Sequence, residues 1–195
     1  MARPSMAAQR KEEILDALEI CILESGIQAT SLENIAEKAG VKRTILRHYI
    51  GNRDDIIVAL SQRWRDIYSA QWQEIISWLP TESKGDALID SLFTIGSKDM
   101  IDGTIIGEAI FSEAKRLPEV KAHQEKTMSD FICHLTNIFS KEYPDANADS
   151  IELVCHGIYA NYLLAQSFLP IKMVDQVHKL KRSSKLLCTT LTQQE

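Results

Sequence analysis

Residues 38 to 53 read KAGVKRTILRHYIGNR, a stretch with five cations and no acid in a chain whose formal net charge is −5. Gly40 can take the positive φ that a tight turn requires, and the residues after it carry apolar side chains at helical spacing. A short basic helix behind a glycine turn is the element with which helix-turn-helix proteins enter the DNA major groove. The stretch therefore predicts a helical DNA-binding module, with double-stranded operator DNA as its partner.

The charge of the chain is unevenly distributed. Residues 1–53 hold eight Lys/Arg and seven Asp/Glu, a balance of +1, whereas residues 54–195 have a balance of −6. An acidic surface repels phosphate, so we expect DNA binding to be confined to the first part. The four cysteines lie far apart without a C-x-x-C pair, which favours reduced thiols. Because the chain also lacks a membrane-length apolar run and a secretory signal, we expect a cytoplasmic protein.

Helical periodicity dominates the whole chain, and no segment alternates with period two over the length of a strand. The predicted fold class is therefore all-α. Either Thr30 with Glu33 or Ser31 with Asn34 supplies a reciprocal cap for the second helix, and Asn52 can cap the fourth. The predicted helices are about Gln9–Ser25, Thr30 or Ser31 to Gly40, Lys42–Ile50, Arg53–Leu79, Lys84–Gly96, Gly103–Leu117, Pro118–Lys141, Asp149–Leu169 and Ile171–Leu191.

The third helix is predicted to have one inward and one outward face. Leu46 is placed in the core, with Val41, Tyr49 and Ile50 beside it at helical spacing. A rotation of about 100° per residue then puts Thr44, Arg47 and His48 on the opposite side. Arg43 and Ile45 fall at the edges of that outward face, which we expect to read the groove.

These segments resemble the TetR family of one-component transcriptional regulators, in detail over residues 10–60. The resemblance rests on Ser31-Leu-Glu-Asn-Ile-Ala36, Ala39-Gly40-Val41, Thr44-Ile-Leu-Arg-His-Tyr-Ile50 and Asn52-Arg53-Asp-Asp-Ile-Ile57. It implies a helix-turn-helix DNA-binding domain at residues 9–53 and a larger helical ligand-binding and dimerisation domain at residues 54–195. The implied phosphate anchors are Ser31 and Arg53. The full set of expected DNA-binding residues is Ser31, Lys42, Arg43, Thr44, Ile45, Arg47, His48, Tyr49 and Arg53.

Five positions depart from the family pattern, among them Thr44 and Ile45, which stand where the family often has Gly and Thr. Arg47 and Ile50 stand where the family usually has Tyr and Phe, and Arg53 stands where it usually has Lys. Arg47 can hold a phosphate or contact guanine through two hydrogen bonds. These departures leave the operator sequence unpredicted.

The fourth helix carries an aromatic stripe of Trp64, Tyr68 and Trp72 at positions i, i+4 and i+8. Such a stripe is typical of core or dimer packing, whereas the resemblance implies that this helix lines the pocket of a small-molecule effector. Both interpretations stay open. The expected ligand-binding residues are Trp64, Tyr68, Trp72, Phe93, Phe111, His156, Tyr159 and Tyr162, with Asn161 as a further candidate.

The last two helices each carry an apolar stripe, and their pairing with a second copy predicts a homodimer built on a four-helix interface. The stripe of the last helix, Val174, Val177, Leu180 and Leu187, is the predicted seam. The alternative is packing within one chain. The two complete stripes are Ile151, Val154/Cys155, Ile158, Tyr162, Ala165 and Leu169, and Val174, Val177, Leu180, Ser184, Leu187 and Leu191.

Catalysis is not expected, and neither is a cofactor. The five histidines are scattered, and the chain has no glycine-rich phosphate loop, nucleophile elbow or H-E-x-x-H motif. Cys133-His134 and Cys155-His156 are adjacent pairs, and neighbours on a helix point about 100° apart, so each pair offers at most one metal ligand.

The predicted function is that of a ligand-responsive DNA-binding transcriptional regulator, a repressor released from its operator by an unidentified small molecule. The alternative is an all-helical small-molecule-binding or scaffold protein whose DNA-binding module is vestigial. Arg47 and Ile50 are the positions that favour this alternative.

Overall fold

The computed structural model describes residues 6–192. Over that range the chain forms nine α-helices and no β-strand, which confirms the predicted fold class. A 3₁₀ turn, Ile27–Ala29, joins the first two helices. The helices are α1 (Met6–Ser25), α2 (Leu32–Lys38), α3 (Arg43–Ile50), α4 (Arg53–Trp78), α5 (Lys84–Leu92), α6 (Lys98–Glu113), α7 (Pro118–Glu142), α8 (Ala148–Phe168) and α9 (Val174–Thr189).

Local side-chain caps fix the starts of α2 and α4. The hydroxyl of Ser31 accepts the backbone N–H of Asn34 at 3.2 Å, and the side chain of Asn34 accepts the N–H of Ser31 at 3.0 Å. Of the two predicted caps for α2, Ser31 with Asn34 is therefore the one that forms. Asn52 accepts the backbone N–H of Asp54 at 2.7 Å, which confirms it as the cap of α4.

Two predicted helix starts were wrong. Gly103 lies buried in the interior of α6, which begins five residues earlier at Lys98 with Asp99 in its first turn. An acid there stabilises a helix start, and a glycine inside a helix costs only about 1 kcal/mol. The last helix begins at Val174 rather than Ile171, because Lys172 has a φ of 59° that no right-handed helix accommodates.

The chain divides into two compact units. The first comprises the chain up to Asp66 together with Ile105–Gln124, and the second comprises Ile67–Thr104 together with the chain from Glu125 onward. The boundaries fall inside α4, α6 and α7. The boundaries of these units differ from the predicted boundary between functional domains at residue 53. The division into functional domains stays a prediction.

Each unit has its own apolar core. In the first unit, the core side chains come mainly from α1, α2, α3 and the start of α4, and Leu18, Ile35, Leu46 and Ile57 are completely buried. In the second unit, the core side chains come mainly from α5, α7, α8 and α9, with Leu88 and Phe139 completely buried. None of the helices in residues 6–192 has the length of apolar sequence that a membrane span needs.

Candidate nucleic-acid interface

Helix α3 is attached to the first unit through a single buried residue. Leu46 is fully buried in the core, and Tyr49 and Ile50 pack partly against it. Since the helix is only eight residues long, these inward contacts leave most of the rest of its surface to solvent. The exposed residues are Lys42, Arg43, Thr44, Ile45, Arg47 and His48, so the predicted orientation of the helix is confirmed.

The turn before α3 depends on glycine. Gly40 has a φ of 63°, in the left-handed region that other residues enter at a cost. The chain then reverses so that the N–H of Val41 donates to the carbonyl of Ala36 at 3.0 Å. Ala36 is 4 % exposed, and its small side chain lets α3 cross close to α2. The helix-turn-helix thus follows from residues adjacent in the sequence.

The five cations of the opening stretch have different surroundings. Lys38 forms an ion pair with Glu24 of α1 at 2.6 Å, and Arg43 forms one with Glu33 of α2 at 2.5 Å. Arg53 is turned toward the backbone of its own unit. Within residues 6–192, Lys42 and Arg47 make no ion pair. These two side chains therefore carry the uncompensated positive charge of the outward face.

The two expected phosphate anchors both have partners inside the protein. Nε of Arg53 donates to the carbonyl of Thr30 at 2.8 Å, and its Nη2 donates to the carbonyl of Ile27. The side chain of Arg53 is 25 % exposed. The hydroxyl of Ser31 serves as the cap of α2. Arg53 thus connects the start of α4 to the segment that precedes α2, a role that the sequence did not indicate.

A polar cluster of the first unit, which contacts the segments before and after the helix-turn-helix, was also not predicted from the sequence. Arg116 donates to both carboxylate oxygens of Asp54, at 2.7 and 2.8 Å, and these hydrogen bonds hold the pKa of Asp54 below its ordinary value. Arg116 also bonds Glu113, whose carboxylate is 2 % exposed and accepts Nε2 of Gln28 at 2.5 Å. Gln28 precedes α2 and Asp54 follows α3, so the cluster fixes both ends of the helix-turn-helix.

The second unit brings five aromatic rings together, which we call the aromatic cluster. Phe131 lies at its centre, with ring centroids 5.0 Å from Trp72, 4.8 Å from Tyr159 and 5.1 Å from Tyr162. Phe93 contacts Tyr162 edge to face at 6.3 Å. These are favourable spacings for aromatic pairs. Phe131 was not predicted, because its four-residue spacing with Leu135 and Phe139 in α7 is typical of ordinary core packing.

Tyrosine hydroxyls in and beside the aromatic cluster remain protonated near neutral pH. Burial raises the pKa of Tyr162 to about 12. It also raises the pKa of Tyr159, and that of Tyr68, where Tyr162 and Tyr159 add to the effect. Each hydroxyl can therefore donate a hydrogen bond.

Tyr68 lies beside the aromatic cluster, and three other expected ligand-binding residues lie away from it. Trp64 belongs to the first unit, where its Nε1 donates to Glu19 at 2.7 Å. Phe111 also belongs to the first unit and is 56 % exposed. His156 projects from α8 with 48 % of its side chain exposed. The further candidate Asn161 donates to Ser184 of α9 at 3.1 Å.

The predicted dimer seam of α9 was wrong. Val177 is 1 % exposed, Ser184 is fully buried and Leu187 packs against the same core, so this stripe faces the interior of its own unit. A Cβ added at Gly157 of α8 would lie 2.8 Å from Leu187, which places the close approach of α8 and α9 within one chain. The large apolar residues that α8 and α9 expose are Leu153, Leu163, Leu164, Val174 and Leu186.

Metal-ligating and thiol groups are dispersed. In the described part of the chain, no three His, Cys, Asp or Glu residues are placed to hold a metal ion together. All four cysteines are free. Cys133 is exposed, and the other three are buried.

Comparison with known proteins points to one family. Residues 14–60 match the family described as bacterial regulatory proteins, tetR family. The HTH-type transcriptional regulator BetI of Paraburkholderia phymatum is 24 % identical over 152 residues, 76 % of each chain. BetI of Burkholderia cenocepacia is 31 % identical over 71 residues, 36 % of this chain and 37 % of that protein.

Solved structures share the fold over nearly the whole chain. A TetR transcription regulator from Haloarcula marismortui superposes with a TM-score of 0.78 at 14 % identity, covering 93 % of this chain and 97 % of that one. GusR of Salmonella enterica gives a TM-score of 0.73 at 17 % identity, covering 96 % and 100 %. The likeness therefore extends well beyond the matched N-terminal segment.

Proposed function

Because the chain is a transcriptional regulator that belongs to the TetR family of bacterial regulatory proteins, we propose that it is an operator-binding repressor which a small molecule releases from DNA. The single observation that carries the DNA-binding part is the orientation of α3. Leu46 alone is buried in this helix, while a row of basic and polar side chains faces solvent. DNA binding takes place in the cytoplasm of a bacterium, so the proposal also places the protein there.

The exposed side chains divide by the contacts that their chemistry allows. Arg43 and Arg47 can each donate two hydrogen bonds to guanine, and Lys42 can hold a phosphate as a point charge. Ile45 is 43 % exposed on an otherwise polar face, and an apolar side chain there can contact a thymine methyl group. Thr44, His48 and Tyr49 complete the proposed interface, with Ser31 and Arg53 at its edge.

The proposed DNA binding is tested by selection from a library of random DNA duplexes. Arg47→Ala is expected to weaken binding to the selected site by about 1–3 kcal/mol and to relax the preference at one position per half-site. Lys42→Ala should weaken binding to all duplexes alike and lower the salt slope by about one. If the wild-type protein enriches no sequence, the chain is instead the helical ligand-binding or scaffold protein with a vestigial DNA module.

We also propose that two copies associate through the exposed face of α8 and α9. Leu153 and Leu186 are 65 % and 68 % exposed, and Leu164 is 46 % exposed. On α8, Leu153 and Leu164 lie eleven residues apart, about three turns along the same face. A second copy of this face would bury these side chains and set two α3 helices at one separation, as successive major grooves require.

The dimer is tested with Leu164→Asp combined with Leu186→Asp, since a buried interface disfavours unpaired carboxylates. The double variant should be a monomer by light scattering. It should remain helical and should bind DNA only at the non-specific level. Met128→Asp on α7, where the side chain is 39 % exposed, is the matched control and should remain dimeric. A dimeric double variant would show that the interface lies elsewhere.

The effector site is proposed at the aromatic cluster, with Tyr68 beside it. Flat apolar rings combined with protonated hydroxyl donors suit a small molecule with an apolar body and a few polar groups. Native mass spectrometry of the purified protein should detect a co-purifying molecule, and Trp72→Ala should reduce its occupancy. Equal occupancy in the variant would place the effector elsewhere. Repression is tested by deleting the gene, which should raise transcription from the selected operator.

A further inference from the structure

One acidic side chain pairs with a cation of the proposed interface. Oε1 of Glu33, the second residue of α2, lies 2.5 Å from Nη1 of Arg43, the first residue of α3. The two side chains remain 60 % and 53 % exposed, so the ion pair lies at the surface where the first turns of α2 and α3 meet. The two neighbouring cations of the proposed interface, Lys42 just before α3 and Arg47 within it, have no acidic partner within residues 6–192.

We propose that Glu33 positions Arg43 for base recognition and thereby determines part of the operator specificity. This inference rests on the proposed function, because it requires α3 to enter the major groove. Exposed ion pairs contribute little to folding stability, so the role assigned to this one concerns the orientation and the charge of Arg43.

The orientation follows from the shape of the guanidinium. Arginine presents five N–H donors in a planar fork, and the ion pair engages Nη1. Nη2 and Nε keep their donors, and two such donors can bond O6 and N7 of a guanine. An arginine already held at one end loses less freedom when it binds a base than an arginine that moves through many rotamers.

The charge argument concerns DNA of any sequence. Non-specific affinity comes from neutralisation of phosphates by cations. The carboxylate of Glu33 offsets the charge of Arg43 and itself repels phosphate, so the pair contributes little to non-specific binding. A contact with guanine does not require net charge. The pair therefore raises the ratio of specific to non-specific affinity, whereas Lys42 and Arg47 raise both affinities.

The test is Glu33→Gln, with Glu37→Gln as the matched control. Glu37 is an exposed acid four residues further along α2, and in the described part of the chain its carboxylate makes no ion pair, so the control removes the same charge without releasing Arg43. The probes are a duplex selected by the wild-type protein from a random library and a scrambled duplex of equal length. Glu33→Gln should bind the scrambled duplex more tightly and should lose about tenfold of its preference at one base pair per half-site. Glu37→Gln should keep the full preference profile.

Two further variants separate positioning from charge. Glu33→Asp keeps the charge but shortens the side chain, so it should lose the base preference while its affinity for the scrambled duplex stays at the wild-type level. In an Arg43→Ala background, Glu33→Gln should no longer alter the preference profile. The inference is overturned if the profiles of Glu33→Gln and Glu37→Gln agree within twofold at every position. A wild-type protein that selects no sequence would instead refute the proposed function.

Discussion

Replacement of Arg53 by alanine separates a structural role from a DNA-binding role at one position. In the structure, the guanidinium of Arg53 donates to the carbonyls of Thr30 and Ile27, and Thr30 is only 3 % exposed. Hydrogen bonds to charged groups contribute about 1.5–3 kcal/mol each. The side chain of Arg53 is 25 % exposed, so solvent reduces this value, and we expect Arg53→Ala to lower the free energy of unfolding by about 1–3 kcal/mol.

The assay is thermal unfolding followed by circular dichroism. For a chain of this length, the midpoint should fall by about 2–4 °C for each kcal/mol lost. Lys42→Ala removes the same charge from an exposed side chain that makes no ion pair in residues 6–192, and it should stay within about 0.5 kcal/mol of the wild-type protein. Arg53→Lys keeps the charge, but its single ammonium lacks the planar fork that serves both carbonyls. Most of the stabilisation that Arg53 contributes should therefore still be lost.

The same variants report on DNA. If Arg53 also holds a phosphate, Arg53→Ala should lower the salt slope for a scrambled duplex by about one, and Arg53→Lys should restore it. The structural reasoning is refuted if Arg53→Ala unfolds at the wild-type midpoint. A lowered slope without a lowered midpoint would mean that the side chain serves only as a phosphate anchor.

Two further predictions concern the second unit. Gly85→Ala should lower the free energy of unfolding by about 1–3 kcal/mol, measured by urea unfolding, because the added Cβ would lie 2.9 Å from Cδ1 of the fully buried Phe139; an unchanged midpoint would mean that the ring moves freely. Burial raises the pKa of Tyr162 from 10.0, and that of Cys188 from 9.0, to about 12. Both groups therefore bind protons more tightly in the folded state. Their contribution to the free energy of unfolding should be fully present below about pH 9 and should be lost as the pH rises from about 9 to 12. Tyr162→Phe should reduce the loss of unfolding free energy in the upper part of this pH range. A pH dependence equal to that of the wild-type protein would contradict this prediction.

The helix-turn-helix could be predicted from the sequence because its determinants are local. The reciprocal cap joins Ser31 and Asn34, which are three positions apart, and the turn at Gly40 needs one residue with positive φ. The inward position of Leu46 follows from helical periodicity within eight residues. The residues that determine this geometry lie within the same short segment, so the outward face of α3 could be assigned before any tertiary structure was known.

Polar contacts between distant segments could not be predicted in the same way. Gln28 and Glu113 are 85 residues apart, and neither lies in a motif. The partners of Arg53 are backbone carbonyls, which every residue possesses, so the side chain gives no sign of them. The resemblance assigned Arg53 to phosphate because the family places a cation there. A sequence match carries the residue type at a position but not the internal hydrogen bonds that compete for it.

The error at the dimer seam has a related physical cause. A surface helix needs one continuous apolar stripe to pack on its own core, and Val177, Leu180, Ser184 and Leu187 supply that stripe for α9. An interface with a second copy adds only a few apolar positions to the opposite, mostly polar side. We propose Leu186 as such a position, since it is 68 % exposed one residue before Leu187. Neighbouring residues on a helix point about 100° apart, so Leu187 packs against the core of its own unit while Leu186 points to solvent, although the two are adjacent in the sequence. The strongest stripe of an amphipathic helix therefore marks its intrachain core, and isolated large apolar residues outside that stripe are the better indication of association.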